Sequence, residues 1–93
     1  MPRTFALVEI RGKLTELVAR AANVSVTDVR DDTKLVIDLG IGDDEILDLL
    51  MQTEKHFGFT IQLYRLPNRA QIPHWSFDDI RRLCEEAASV PAN

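Results

Sequence analysis

The tightest constraint on the fold lies between Gly40 and Gly58, where the acid-rich opening Gly40-Ile41-Gly42-Asp43-Asp44-Glu45 runs straight into an apolar-rich segment from Ile46 to Phe57. The spacing predicts a helix that begins at Asp43 or Asp44 and ends near Phe57, stopped by Gly58 in a C-terminal capping role. Advancing about 100° per residue places Ile46, Leu47, Leu49, Leu50, Met51 and Phe57 on an arc of about 200°, with Asp44, Asp48, Gln52, Lys55 and His56 on the remainder. Packing against a single core needs a stripe of only about 100°. Such a helix is either buried on two sides or leaves part of its arc for a partner.

Two further stretches carry the same period. Leu7, Ile10, Leu14, Leu17, Val18 and Ala21 recur every three or four positions, predicting a first helix from about Thr4 to Ala22. Asn23-Val24-Ser25-Val26-Thr27-Asp28 is β-branched and cap-forming, so the chain leaves the helix there and runs through a long connection. Val24, Val26, Val29, Leu35 and Ile37 are expected to pin that connection to the core. Near the C-terminus, Ser76-Phe77-Asp78-Asp79 reads as a capping box with Asp79 in place of the usual Glu or Gln. Phe77, Ile80, Leu83, Cys84 and Ala87 then carry a last helix to about Ser89. Between these helices, Phe59 to Tyr64 alternates as a strand does, yet no second run exists to pair with it. It is read as extended loop or a short helical turn. Pro67, Asn68 and Pro73 break the segment after Tyr64, and Arg65 and Arg69 make it locally basic.

Composition narrows the function classes. Ninety-three residues, 45% hydrophobic and 28% charged, suit one globular domain over residues 1–93 with a small core. A formal charge of −4 argues against nucleic-acid binding through a broad basic surface, and acids clustered from Asp38 to Asp48 favour a basic protein partner. A lone cysteine, Cys84, forms no internal disulfide and suits a reducing compartment. The opening MPRTFALVEI lacks the apolar core of a signal peptide, and no run reaches membrane-spanning length. The expectation is a cytoplasmic bacterial protein with no membrane insertion, acting as a monomer.

Asp38-Leu39-Gly40, followed by the acidic helix start, resembles the central motif of acyl carrier proteins, Asp-Leu-Gly-x-Asp-Ser-Leu. The resemblance extends to Leu47-x-Leu49-Leu50-Met51, to Glu54-Lys55-His56-Phe57-Gly58-Phe59-x-Ile61, and to Ser76-Phe77-Asp78-Asp79-Ile80. Upstream, Val24 to Val29 and Asp32-Thr33 are similar to the family's Gly-Val-x-x-x-x-Val and Asp-x-Ser/Thr patterns. The resemblance covers nearly the whole chain and implies an all-α, acyl-carrier-protein-like four-helix bundle, here with three main helices and a short or irregular third segment. Within it, the chain also looks like a divergent bacterial group that reads Gly-Asp-Asp at this point.

Departures from the pattern bear on function. Asp43 stands where the family carries the serine that bears 4′-phosphopantetheine, and a carboxylate cannot accept that arm through the usual hydroxyl phosphodiester; no cofactor is therefore expected. Asp44 replaces a partner-facing apolar residue, and Gly42 replaces the aspartate before the serine. The interval from Phe57 to Phe77 is about five residues longer than in a typical carrier by comparison with the family pattern.

Each candidate residue has a plain structural reading. Asp43 suits a helix N-cap, where capping contributes about 1 kcal/mol and the dipole about 0.3–1 kcal/mol; the sharper reading, imitation of a charged modified state, rests on position alone. Asp38, Asp43, Asp44, Glu45 and Asp48 form either a solvated face or a docking face, and the resemblance implies docking, because the second helix is the family's usual contact element. Their spacing lacks the alternation of a calcium loop, so no metal is expected. Cys84 falls on the apolar stripe of the last helix and reads as an inert core thiol. His56 and His74 have no nucleophile or ligand spacing around them, so no catalytic residues are expected. Trp75, Tyr64 and the nearby arginines are expected to form a lid on the core.

The leading expectation is a non-catalytic adaptor that binds a protein with a basic docking surface. Asp44, Glu45 and Asp48 would supply charge, flanked by apolar contact from Ile41 and Ile46. The alternative is an acyl carrier protein that holds acyl or aminoacyl groups in fatty-acid, polyketide or related biosynthesis.

Overall fold

The computed structural model describes residues 7–66, 68 and 70–89; Thr4, Pro67, Arg69 and Pro91 lie outside the described residues. Three α-helices form its frame: α1 (Leu7–Ala22), α2 (Asp43–Phe57) and α3 (Phe77–Ser89). Single 3-10 turns sit at Val26–Asp28, Leu63–Arg65 and Ile72–His74. Among the described residues there is no strand, only an isolated antiparallel bridge between Lys34 and Ser76.

Each helix buries most of the stripe its sequence period marks, although Ala21 of α1 and Met51 of α2 are exposed. Ile10, Leu14, Leu17 and Val18 of α1, Ile46, Leu49, Leu50 and Phe57 of α2, and Phe77, Ile80, Leu83 and Cys84 of α3 share one core with Leu35, Ile41, Ile61 and Ile72. Loop residues therefore complete the core rather than merely connecting its helices. Burying each large apolar side chain contributes about 1.5–3 kcal/mol.

The helix ends obey local chemistry. At the end of α1, Asn23 takes a left-handed φ of 57°, and the amides of Asn23 and Val24 bond back to the carbonyls of Arg20 at 3.2 Å and Ala19 at 2.9 Å. This paired closure satisfies carbonyls the helix would otherwise leave open. α2 ends at Gly58, φ 78°, whose amide bonds Glu54 O at 2.7 Å. The Glu54 carboxylate also accepts the Ile61 amide at 2.7 Å, holding the outgoing segment against the helix.

α3 starts with the expected capping box. The Ser76 amide donates to the Asp79 carboxylate at 2.8 Å, and the Asp79 amide donates to Ser76 Oγ at 3.3 Å. Its next open donors are met from far away in sequence. The Phe77 amide bonds Thr33 O at 2.9 Å and the Asp78 amide bonds Asp31 O at 3.0 Å. The loop after α1 is thus a tertiary cap on α3.

Two expectations need correction. Val26 and Ile37 are 52% and 63% exposed, so only Leu35 of the five named loop residues is fully buried, with Val24 and Val29 half-buried. The Val26 turn places its side chain outward, and Ile37 sits on the outer side of the turn after Leu35. Tyr64 is 83% exposed and covers no core, whereas Trp75 packs against it as expected. The segment after α2 is, as expected, extended and then turns at Leu63–Arg65, because an unpaired alternating run has no neighbour with which to form a ladder.

Candidate functional site

The approach to α2 is a tight turn built by the Asp38-Leu39-Gly40 motif. The Asp38 carboxylate accepts the Lys34 amide at 2.8 Å, and the Asp38 amide returns to Lys34 O at 2.9 Å. Leu39 packs on the core, and Gly40 supplies a φ of 72° that side chains rarely adopt. The Ile41 amide then bonds Leu35 O at 3.1 Å, which fixes Ile41 inside the core. Thr33, in the Asp-x-Ser/Thr pattern just upstream, spends its hydroxyl on the Arg30 amide at 2.9 Å. These motif residues each have a structural task.

Asp43 is the first residue of α2 and Gly42 is its N-cap, which corrects the expectation that Asp43 caps the helix. Gly42 takes the extended cap conformation, and its carbonyl accepts the Ile46 amide at 3.1 Å. Asp43 is left to act through charge. Asp43, Asp44 and Glu45 fill the first turn and Lys55 stands in the last, each sign matching its end of the helix dipole. Glu45 also reaches back toward the Gly42 amide, at a long 3.5 Å.

Along the outer face of α2, Asp44, Glu45, Asp48, Met51, Gln52, Lys55 and His56 are exposed. Ile41 and Ile46 are not: at 1% and 0% exposure they are core side chains. Ile46 falls on the same narrow arc as Leu49, Leu50, Thr53 and Phe57, all of them buried. The apolar surface next to the acids comes instead from Met51, 61% exposed, and half-buried Leu47. Of the two alternatives for the wide arc, burial on two sides is therefore not what occurs at this edge. The signal is present in the sequence, since Leu47 and Met51 lie at the rim of the arc beside Asp44.

The acids of this face stand without ion pairs, and Lys55 lies at its far end. From Asp38 to Glu54 the chain has six acids and no Lys or Arg, against a net charge of −4, so the rest of the chain is formally positive. Elsewhere acids meet arginines: Glu16 with Arg20, Asp31 with Arg11, Glu86 with Arg65, and Asp78 and Glu85 with Arg81. Among the described residues, Asp43, Asp44, Glu45 and Asp48 have no cationic partner within ion-pair distance. Asp48 accepts only the Gln52 amide group, at 2.6 Å. The α3 pairs escape the sequence reading, although their spacings of three and four residues announce them.

Other candidates resolve into structure. The Ser76 hydroxyl is occupied by its bonds to Asp79. Cys84 is fully buried; burial first, and then the charges of Glu54 and Glu85, push its thiol up to about 12. A groove of about 160 Å³ lies between residues 60–65 and α3, lined by Ile61, Tyr64, Leu83 and Ala87 among others. It does not border Asp43. Among the described residues no group of three or more His, Cys, Asp or Glu is placed to hold a metal ion, and no helix is long and apolar enough to cross a membrane. No family model matches the chain, and no curated protein matches it.

Proposed function

We propose that this chain is a non-catalytic, acyl-carrier-like helical protein that works by binding another protein through α2, and that it carries no phosphopantetheine at Asp43. The observation that carries this reading is the outer face of α2, where exposed and unpaired Asp44, Glu45 and Asp48 lie beside the exposed Met51. The helix order, the Asp38-Leu39-Gly40 turn and the acidic start of the central helix support the resemblance to the carrier bundle. The partner surface is basic, with an apolar contact for Met51 and Leu47. Carboxylates on such a face speed encounter and set specificity more than they add affinity. The proposal places the chain in the cytoplasm as a monomer before it meets its partner.

Affinity capture with the wild-type chain and with the Asp44→Lys, Asp48→Lys double variant tests this, with circular dichroism verifying that both fold. A protein retained by the wild type at low salt and lost by the variant is the expected result. Equal retention removes α2 from the interface. Intact-mass measurement after incubation with coenzyme A and a broad-specificity phosphopantetheinyl transferase tests the second half of the reading. No mass gain is expected, and a gain of one phosphopantetheine returns the chain to the carriers.

A further inference from the structure

Lys34, with its neighbour Leu35, makes contacts toward both α2 and α3. Toward α2, its amide donates to the Asp38 carboxylate at 2.8 Å and its carbonyl accepts the Asp38 amide at 2.9 Å. Toward α3, its Nζ donates to His74 O at 3.0 Å, and its backbone forms the antiparallel bridge with Ser76. The contacts on either side continue the same seam. Leu35 donates to Trp75 O at 3.2 Å, and Thr33 O and Asp31 O accept the Phe77 and Asp78 amides at 2.9 and 3.0 Å. On the α2 side, Leu35 O accepts the Ile41 amide at 3.1 Å, one residue before the α2 cap.

We infer that residues 31–41 form a strap that couples the first turn of α2 to the first turn of α3, with the Lys34–Asp38 hydrogen bonds as its fastening. The first two amides of α3 cannot be satisfied from within the helix. They depend on the loop carbonyls, whose position depends on the turn that Asp38 closes. Asp38 itself is exposed and belongs to the acidic stretch leading into α2. The strap therefore gives that stretch a mechanical connection to the start of α3. The coupling is a property of the free chain and stands apart from the docking reading, so either can fail without the other.

Amide hydrogen exchange measured residue by residue by NMR on the whole chain tests it. In Asp38→Ala, the Phe77 and Asp78 amides should exchange about tenfold faster, the effect of losing one charge-assisted hydrogen bond of ordinary strength. Leu14, Val18 and Leu50 amides should stay within about twofold, because local opening does not require the core to unfold. Asp38→Asn, which keeps an acceptor without the charge, should fall between. The reverse direction is read in Lys34→Met, which removes only the Nζ bond to His74 O: the Gly40 and Ile41 amides should exchange about fivefold faster, since coupling between two sites is reciprocal. Acceleration confined to the Lys34 amide in Asp38→Ala overturns the inference. So does an equal rise across all three helices, or Gly40 and Ile41 amides unmoved by Lys34→Met.

Discussion

Asp78 and Arg81, one turn apart on α3, form an ion pair that leaves only 19% and 18% of their side chains exposed. Arg81 also grips both carboxylate oxygens of Glu85, at 2.8 and 2.9 Å, and Arg82 reaches the second oxygen of Asp78 at 2.7 Å. The hydrogen bond from Arg81 holds the Asp78 carboxyl below its ordinary value, partial burial opposes it, and the charges of Arg81 and Arg82 add to the lowering. That direction sets the sign of the pH dependence. A carboxylate with a depressed folded value contributes stability that is fully present above the unfolded value of about 3.9 and is lost as pH falls through the folded one. Urea unfolding of the wild type and Asp78→Asn should show a gap that is constant from neutral pH down to about 5 and closes below about 4. A gap of the same size at pH 3 would show that ionic pairing is not what Asp78 contributes.

Two glycines should respond to alanine with opposite signs. Gly12 lies inside α1 with nothing within 4 Å of a Cβ built on it. Gly12→Ala should stabilise the protein by about 0.5–1 kcal/mol, since it removes the backbone freedom glycine loses on entering a helix. Gly58 also has open space around a Cβ but sits at φ 78°. There the left-handed backbone decides, and Gly58→Ala should cost roughly 1 kcal/mol. Thermal unfolding of the two variants should move the midpoint in opposite directions. A rise in both would mean that Gly58 does not hold the left-handed cap.

Much of the fold is legible in the sequence because it is written in local side-chain chemistry. α2 is bounded by glycines at both ends, so its limits can be read to within about a residue, and the Ser76–Asp79 box marks the start of α3 despite the shorter acid. The features that sequence reasoning misplaces depend on the backbone or on distant partners. Ile41 looks like surface in a polar, glycine-rich stretch, but a single amide bond to Leu35 O turns it inward. The N-cap of α2 lies one residue earlier than its acids suggest, since a glycine cap works through its backbone and has no side-chain signature. The loop carbonyls that cap α3 carry no residue code at all. At the candidate site, the acids are read directly from the sequence. Their apolar neighbour is Met51 and not Ile46, and the helical arc separates the two by more than a right angle.

Cys84 should behave as a core atom and not as a reactive thiol. With its value pushed up to about 12 by burial, then by Glu54 and Glu85, the thiolate fraction at pH 8 is lower than that of a free cysteine by on the order of a thousandfold. Labelling by a disulfide reagent should therefore track the unfolding of the chain and become rapid only in denaturant. The same raised value makes a linkage prediction: the thiol favours the folded state fully below the unfolded value of about 8.5, and that contribution declines as pH rises toward the folded one. Cys84→Ala should remove this alkaline decline. Fast labelling of the native protein at pH 8 would place the thiol outside the core.

Leu50 and Met51 are neighbours on α2 with opposite environments, 2% and 61% exposed. Leu50→Ala removes a side chain packed in the core shared by all three helices and should cost about 2–5 kcal/mol, a large share of the roughly 5–15 kcal/mol that holds a typical domain folded. Met51→Ala removes surface only and should change stability by no more than about 0.5 kcal/mol. If the outer face of α2 binds a partner as proposed, the same Met51→Ala variant should lower capture of that partner about fivefold or more while melting at the wild-type temperature, the loss of roughly 1 kcal/mol at a contact. Lys55→Ala, at the far end of the face, offers a comparison in which the acidic attraction is retained. Wild-type capture by Met51→Ala, with Asp44→Lys and Asp48→Lys still abolishing it, would restrict the contact to charge and exclude the exposed methionine from it.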